Sequence, residues 1–214
     1  MESYAEAYLR YLQQVSIRDL EKLESIALEA EEEYILSLPS PHNFGPDEIP
    51  TTQRPPLTHF ETTLIQPSRC TIPLAMTCLS IIEFLGNIVS PSCNLNFQNG
   101  AKHFFLYTGD NVPNKERELL REIYRNGIMH SFFPKGIEIG ITYDSSLKSV
   151  DKLFIIYQSK IILNVNYLCS KVIFALNKIV TDTAIHPTVN VNLGKVSEQE
   201  FQNVTNVIED FKRV

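Results

Sequence analysis

KERELLREIYRNGIMHSFFPKG, residues 115–136, is the stretch whose reading decides the fold. Leu120, Ile123, Tyr124 and Ile128 recur at the spacing of one helix face. Arg117, Arg121 and Arg125 lie four apart and line the adjoining face. Asn114 is placed to cap this helix, and Pro134 and Gly136 stop it near Phe132. A helix with such an apolar stripe has to be covered by other elements.

Working outward, the chain supplies those elements mainly as helices. Residues 2–37 carry Leu9, Leu12, Leu20, Leu23, Ile26 and Ala30 at helical spacings, with a break expected near Ser16. Glu31, Glu32 and Glu33 read as its solvated face. Residues 71–89 form a second helix. The run SPSCNLNFQNGAKH from residue 90 then reads as a loop, with Asn99-Gly100 as its turn. Residues 101–108 fit either a short helix or an extended piece. Beyond residue 136, IEIGITY alternates like a strand, and LFIIYQSKIIL reads as two short strands about Gln158-Ser159. A helix follows over 164–180, and Ser197 with Glu200 forms the capping box of a last one running to Lys212. Residues 38–58 hold six prolines and read as an irregular surface loop. The expected architecture is a mainly α, helical-bundle domain over 1–214 with a short antiparallel β insertion at 137–163.

Composition bounds the rest. The 214 residues are 43% hydrophobic and 21% charged, enough to bury a sizeable core without staples. The net charge of −6 argues against broad, non-specific nucleic-acid binding, which rests on phosphate neutralisation, but leaves room for a local basic site. Cys70, Cys78, Cys93 and Cys169 form no C-x-x-C pair and have no histidine at zinc-ligand spacing. The opening MESYAEAYLRYLQQ has the character of neither a signal nor a transit peptide, so the expectation is a cytoplasmic protein with reduced thiols. Residues 72–89 are long and apolar enough to be tested as a membrane span, but Glu83 lies inside them. A centred acid costs roughly 3 kcal/mol on insertion scales. A buried core helix, with no membrane contact, is the better expectation.

The chemistry concentrates in YRNGIMHSFFP. Arg125 is a permanent cation, and His130 titrates near neutrality. An arginine can clamp a phosphodiester and stabilise the charge that builds on it. A neutral histidine can take a proton from a ribose 2′-hydroxyl, and a protonated one can give it to the leaving oxygen. Asn126 can orient either group. Such chemistry needs no metal and no cofactor. Lys135 and the three arginines give the stretch a small positive excess on an acidic chain, as an anionic substrate requires. On a straight helix, side chains five apart point about 140° away from each other, so convergence of Arg125 and His130 requires an end or unwinding near Gly127, or a second copy of the chain.

Arg125, Asn126 and His130, late on a long helix within a helical core, resemble the signature of the HEPN superfamily. The resemblance extends over roughly residues 5–182, with the β insertion as a departure. It implies a metal-independent endoribonuclease acting as a homodimer, with one motif from each subunit facing a shared cleft. His130 is then the acid and base, Arg125 the holder of the scissile phosphate, and Asn126 its support. Arg117, Arg121 and Lys135 are the candidates for further RNA contacts. An antitoxin-like partner is a further implication, since such pairs are common for HEPN toxins. Other members of the superfamily have no activity and serve as interaction or scaffold modules, and that reading stays open. So does a purely structural one, in which Arg125 pairs with Glu122, Glu118 or Glu83 while Asn126 and His130 finish the helix. Glu83 reads either as a buried acid paired with Arg125 or Tyr124, or as an exposed acid on a helix edge.

Overall fold

A computed structural model describes residues 4–37, 70–125, 127, 139–143, 147–157 and 160–198. The chain is mainly helical with a small three-stranded sheet, as its patterning predicts. Its residues cluster into two compact units. The first comprises Met1–Arg18, Leu79–Arg121 and Lys171–Val214, and the second Asp19–Cys78 and Glu122–Ser170.

Helix α1, Tyr4–Ser37, runs unbroken through Ser16. Among its described side chains, Ala5, Leu9, Ser16, Leu20 and Ala27 are buried, and their spacing of four and seven keeps one stripe turned inward. Ser16 is small enough to sit on that stripe. Helix α2, Thr71–Val89, matches the expected bounds and places Pro73 in its first turn, where a missing N–H costs nothing. It is long and apolar enough to cross a membrane, yet 56% of its most apolar window is buried within the fold. Leu74, Ala75, Cys78, Leu79, Ile82, Leu85 and Ile88 are all essentially inaccessible, as in a core helix. Glu83 is only half-buried, which removes the cost expected for an acid in the core.

The loop expected after α2 is shorter than its composition suggested. Helix α3, Phe97–Thr108, begins at an Asn96 cap whose side chain accepts from the Asn99 backbone N–H. Asn99-Gly100 is therefore helical. α2 passes α3 so closely that a side-chain carbon at Gly100 would lie 2.6 Å from the Glu83 carbonyl oxygen, and one at Gly86 1.8 Å from the Gly100 oxygen. Gly109 closes α3 in the left-handed conformation, with its N–H and that of Asp110 returning to Leu106 and Phe105.

In the second unit, β1 (Ile139–Thr142), β2 (Phe154–Tyr157) and β3 (Lys160–Asn164) form a sheet in the order β1-β3-β2. β2 and β3 pair antiparallel, as expected; Gln158 and Ser159 lie outside the described residues. β1 pairs parallel to β3, so the insertion is a mixed sheet and not a purely antiparallel one. Alternation reports which face is buried but not which neighbour a strand takes. With successive strands reversing direction, β1 becomes parallel once it joins β3 instead of β2. Asn164 ends β3 and caps helix α5, Val165–Thr181, by accepting from the Tyr167 N–H. Its amide also donates to the Val150 and Lys152 carbonyls, tying the loop before β2 to the start of α5.

A further helix, α6, occupies residues 186–198. Ser197 therefore lies inside a helix and does not start one, and the expected capping box is overturned. The start falls at His186-Pro187, where proline at the first helical positions is tolerated. Gly194 is exposed on α6, and a side-chain carbon there meets nothing within 4 Å. Gly194→Ala should stabilise the protein by roughly 0.5–1 kcal/mol, because alanine loses less backbone freedom in a helix. Thermal unfolding should show a rise of roughly 1–4 °C for a chain of this size; a fall would mean that this stretch is not helical in solution.

Candidate functional site

The helix carrying the motif starts as α4, Asn114–Leu119. Asn114 is its first helical residue, and Pro113 occupies the cap position with no side-chain bond. This corrects the expected asparagine cap. The Asn114 amide instead donates to Glu118 at 2.7 Å. The helix does not stay regular as far as the motif. Leu120–Arg125 form a π turn, in which hydrogen bonds reach one residue further back than in an α-helix. Leu120 anchors this turn in the core, and residue 127 is again helical and buried.

The candidate residues then fall as follows. Arg117 is half-buried and committed locally. Its guanidinium donates to the Val112 carbonyl and, at 3.1 Å, to Asn114 Oδ1. It ties the turn before α4 to the first turn of the helix. Gln98 on α3 donates to the same Asn114 oxygen at 3.4 Å. Arg117 Nε and Gln98 Oε1, a donor and an acceptor of this small network, are buried without a hydrogen-bond partner. Arg121 and Arg125 lie on the π turn, both half-exposed and both engaged by other groups. Arg117 and Arg121 belong to the first unit and Arg125 to the second. Asn126, His130 and Lys135 lie outside the described residues.

The other reactive side chains do not assemble a competing centre. Among the described residues, no three histidine, cysteine or acidic side chains are grouped to hold a metal ion. Burial pushes the Cys93 thiol up despite the opposing charge of Lys195. A hydrogen bond shared with Cys78, together with burial, holds the Cys169 thiol well above its usual range. Neither is an activated nucleophile. His103, expected in a loop, lies in α3, and burial with Lys102 nearby favours its neutral form. His186 opens α6 between the Ile179 carbonyl at 3.0 Å and Glu6 at 3.4 Å. His42 and His59 lie outside the described residues.

Two polar clusters have no counterpart in the sequence reading. At the end of α3, Lys178 of α5 donates to the Tyr107 carbonyl at 2.7 Å and lies 4.3 Å from the Tyr107 ring centre. A cation is favoured there, at the negative end of a helix. Lys171 pairs with Asp110 at 2.7 Å, and Thr108 donates to the other oxygen of that carboxylate. Burial and the nearby Asp182 carboxylate push the Tyr107 hydroxyl far above its usual range. In the second unit, Tyr143 donates to Glu24 at 2.9 Å. These are long-range pairs, up to 119 residues apart in sequence, and no local pattern announces them. The Tyr107 hydroxyl is buried without a hydrogen-bond partner, but the charged groups are paired, which fits a role in holding helices. No protein-family model, no curated protein and no solved structure matches the chain.

Proposed function

We propose that the chain is a metal-independent endoribonuclease of the HEPN type, acting as a homodimer. The observation that carries this reading is the π turn ending at Arg125, immediately before Asn126 and five residues before His130. A wide turn gives up regular helical hydrogen bonding, and such turns concentrate at functional sites. This one falls on the segment that the HEPN resemblance singles out.

In this reading His130 removes the proton from a ribose 2′-hydroxyl, whose oxygen attacks the adjacent phosphorus. The bond to the 5′-oxygen of the next nucleotide breaks, and the imidazolium returns a proton to that oxygen. The products are a 2′,3′-cyclic phosphate and a free 5′-hydroxyl. Arg125 holds the charge that builds on the phosphoryl oxygens, and Asn126 steadies it. Arg121 and Lys135 are assigned to neighbouring phosphates. Arg117, with its guanidinium given to Val112 and Asn114, is assigned to shaping the start of the helix.

The test is incubation of the purified full chain with single-stranded RNA in EDTA. Cleavage is expected, with cyclic-phosphate ends, and an RNA carrying a 2′-deoxy sugar at the cleaved position should resist. Arg125→Ala and His130→Ala should each lose cleavage while keeping the wild-type circular dichroism spectrum. Cleavage that survives both changes, or that proceeds equally well on DNA, would sink the assignment. An absence of cleavage, with dimerisation weakened by the same two substitutions, would favour the interaction-module reading.

A further inference from the structure

Cys78 on α2 and Cys169 on α5 face each other inside the second unit, 91 residues apart in sequence. Both are free and buried, and their sulfurs are 3.4 Å apart, close enough for one S–H to donate to the other. Each sulfur would have to move only about 0.7 Å toward the other to reach the roughly 2.05 Å of a disulfide. Cysteine is well suited to a core as a small apolar side chain, so burial alone says nothing of chemistry. Two such side chains on different helices meeting sulfur to sulfur is a more specific arrangement. The other two cysteines, Cys70 and Cys93, are both half-buried.

We propose that Cys78 and Cys169 form a latent covalent cross-link between α2 and α5, closed by a small disulfide oxidant of the oxidised-glutathione class. One thiol loses its proton and attacks a sulfur of the oxidant, releasing one thiolate and leaving a mixed disulfide. The second thiol, also deprotonated, attacks the protein-bound sulfur of that mixed disulfide and releases the second thiolate. Two protein thiols are oxidised and one oxidant disulfide is reduced to two thiols, with the two protons passing to solvent or to those thiolates.

The surroundings set the rate. Both thiols are almost inaccessible, and the environment of Cys169 favours its protonated form, so the first step waits for a local opening of the core. The same barrier keeps reductant away once the bond has formed. The pair therefore behaves as a slow, persistent lock and not as a fast sensor. Closing a long loop removes freedom from the unfolded chain, so the locked form should melt higher by roughly 5–10 °C.

The experiment equilibrates the full chain with oxidised glutathione at a temperature that permits local opening, traps remaining thiols by alkylation, and reads intact mass and linked peptides. The expected result is a loss of two hydrogens, a peptide pair joining residues 78 and 169, and a raised melting temperature that dithiothreitol reverses. Cys70→Ser/Cys93→Ser, which leaves only the buried pair, should give the same link. Recovery of Cys78 and Cys169 as alkylated thiols, with glutathione confined to Cys70 and Cys93, would overturn the proposal. A link that forms but lowers the melting temperature would overturn it as well, because the fold would then have to distort to accept the bond.

Discussion

Gly86→Ala should destabilise the protein by at least about 3 kcal/mol, more than an ordinary surface or helix substitution. The added carbon would lie 1.8 Å from the Gly100 oxygen, 2.4 Å from its carbonyl carbon and 2.8 Å from its Cα. All three are backbone atoms, so no rotamer change relieves the overlap. α2 and α3 have to separate, and every contact packed around that crossing loosens with them. Ile82, Leu85, Ala101, Phe104 and Phe105, all buried on these two helices, are the side chains that lose packing. The melting temperature should fall by roughly 6–12 °C, read by circular dichroism. Gly100→Ala should act in the same direction but less strongly, since its nearest obstacle is the Glu83 oxygen at 2.6 Å. A Gly86→Ala protein melting within 2 °C of wild type, a margin set by roughly one kcal/mol in a chain of this size, would contradict the close helix crossing.

The second large effect is expected at Asn192 on α6. The last carbonyls of a helix have no partner within it. At the end of α2 the Asn192 amide supplies one from outside, donating to Ser90 O at 2.7 Å and Ile88 O at 2.9 Å, with Asn87 O at 3.5 Å sharing the same two hydrogens. Asn192 is 2% exposed, so water does not replace it. Asn192→Ala leaves two well-bonded carbonyls buried and unpaired, at a cost of about 3 kcal/mol. Asn192→Asp keeps the shape but exchanges the donor for an anion facing carbonyl oxygens at the negative end of a helix. At neutral pH it should be the worse of the two. Its penalty should shrink on acidification, because the folded state favours the protonated acid. The introduced carboxyl has its pKa raised on folding, so stability is full below the unfolded value of roughly 3.9 and is lost as pH rises from there through the higher folded one. Urea unfolding of both variants at neutral and acidic pH reads this directly. An aspartate variant as stable as wild type at pH 7 would refute the account.

Much of the fold can be read from local pattern. The apolar run at 71–89 and the helical spacing after Asn164 give α2 and α5 almost to the residue; the alternation of IEIGITY gives β1, and the two short runs about Gln158-Ser159 give β2 and β3. What local pattern misreads depends on contacts distant in sequence. Asn99-Gly100 has the composition of a turn, and only the passage of the α2 backbone at Glu83 explains why glycine is needed within a helix there. Ser197 and Glu200 have the spacing of a helix start, but Ser197 already lies within a helix that starts at residue 186, and residues 199–212 lie outside the described ones. The parallel pairing of β1 follows from which strand it neighbours, which alternation does not encode. Nothing about Asn192 in sequence distinguishes it from any polar helix residue; its role exists only because α2 ends beside it.

The candidate site divides in the same way. Arg125 was singled out by residue type and spacing, and it lies on the predicted helix, at the end of a π turn that the spacing did not foresee. Arg117 shares its four-residue spacing with Arg121 and Arg125, yet its guanidinium serves the Val112 carbonyl and Asn114. Periodicity places a side chain around a helix axis but does not report which backbone carbonyls wait beside it.

That wide turn also sets what the chain tolerates in length. From Leu120 to Arg125 the helix stores one residue beyond what a regular coil would hold. A one-residue deletion there, ruinous in most helices because it turns everything downstream by about 100°, would be absorbed by tightening the coil. The hydrogen bonding would improve while Arg121 and Arg125 were dealt to new directions. Thermal robustness and the aim of those two cations are thus set against each other by a single insertion.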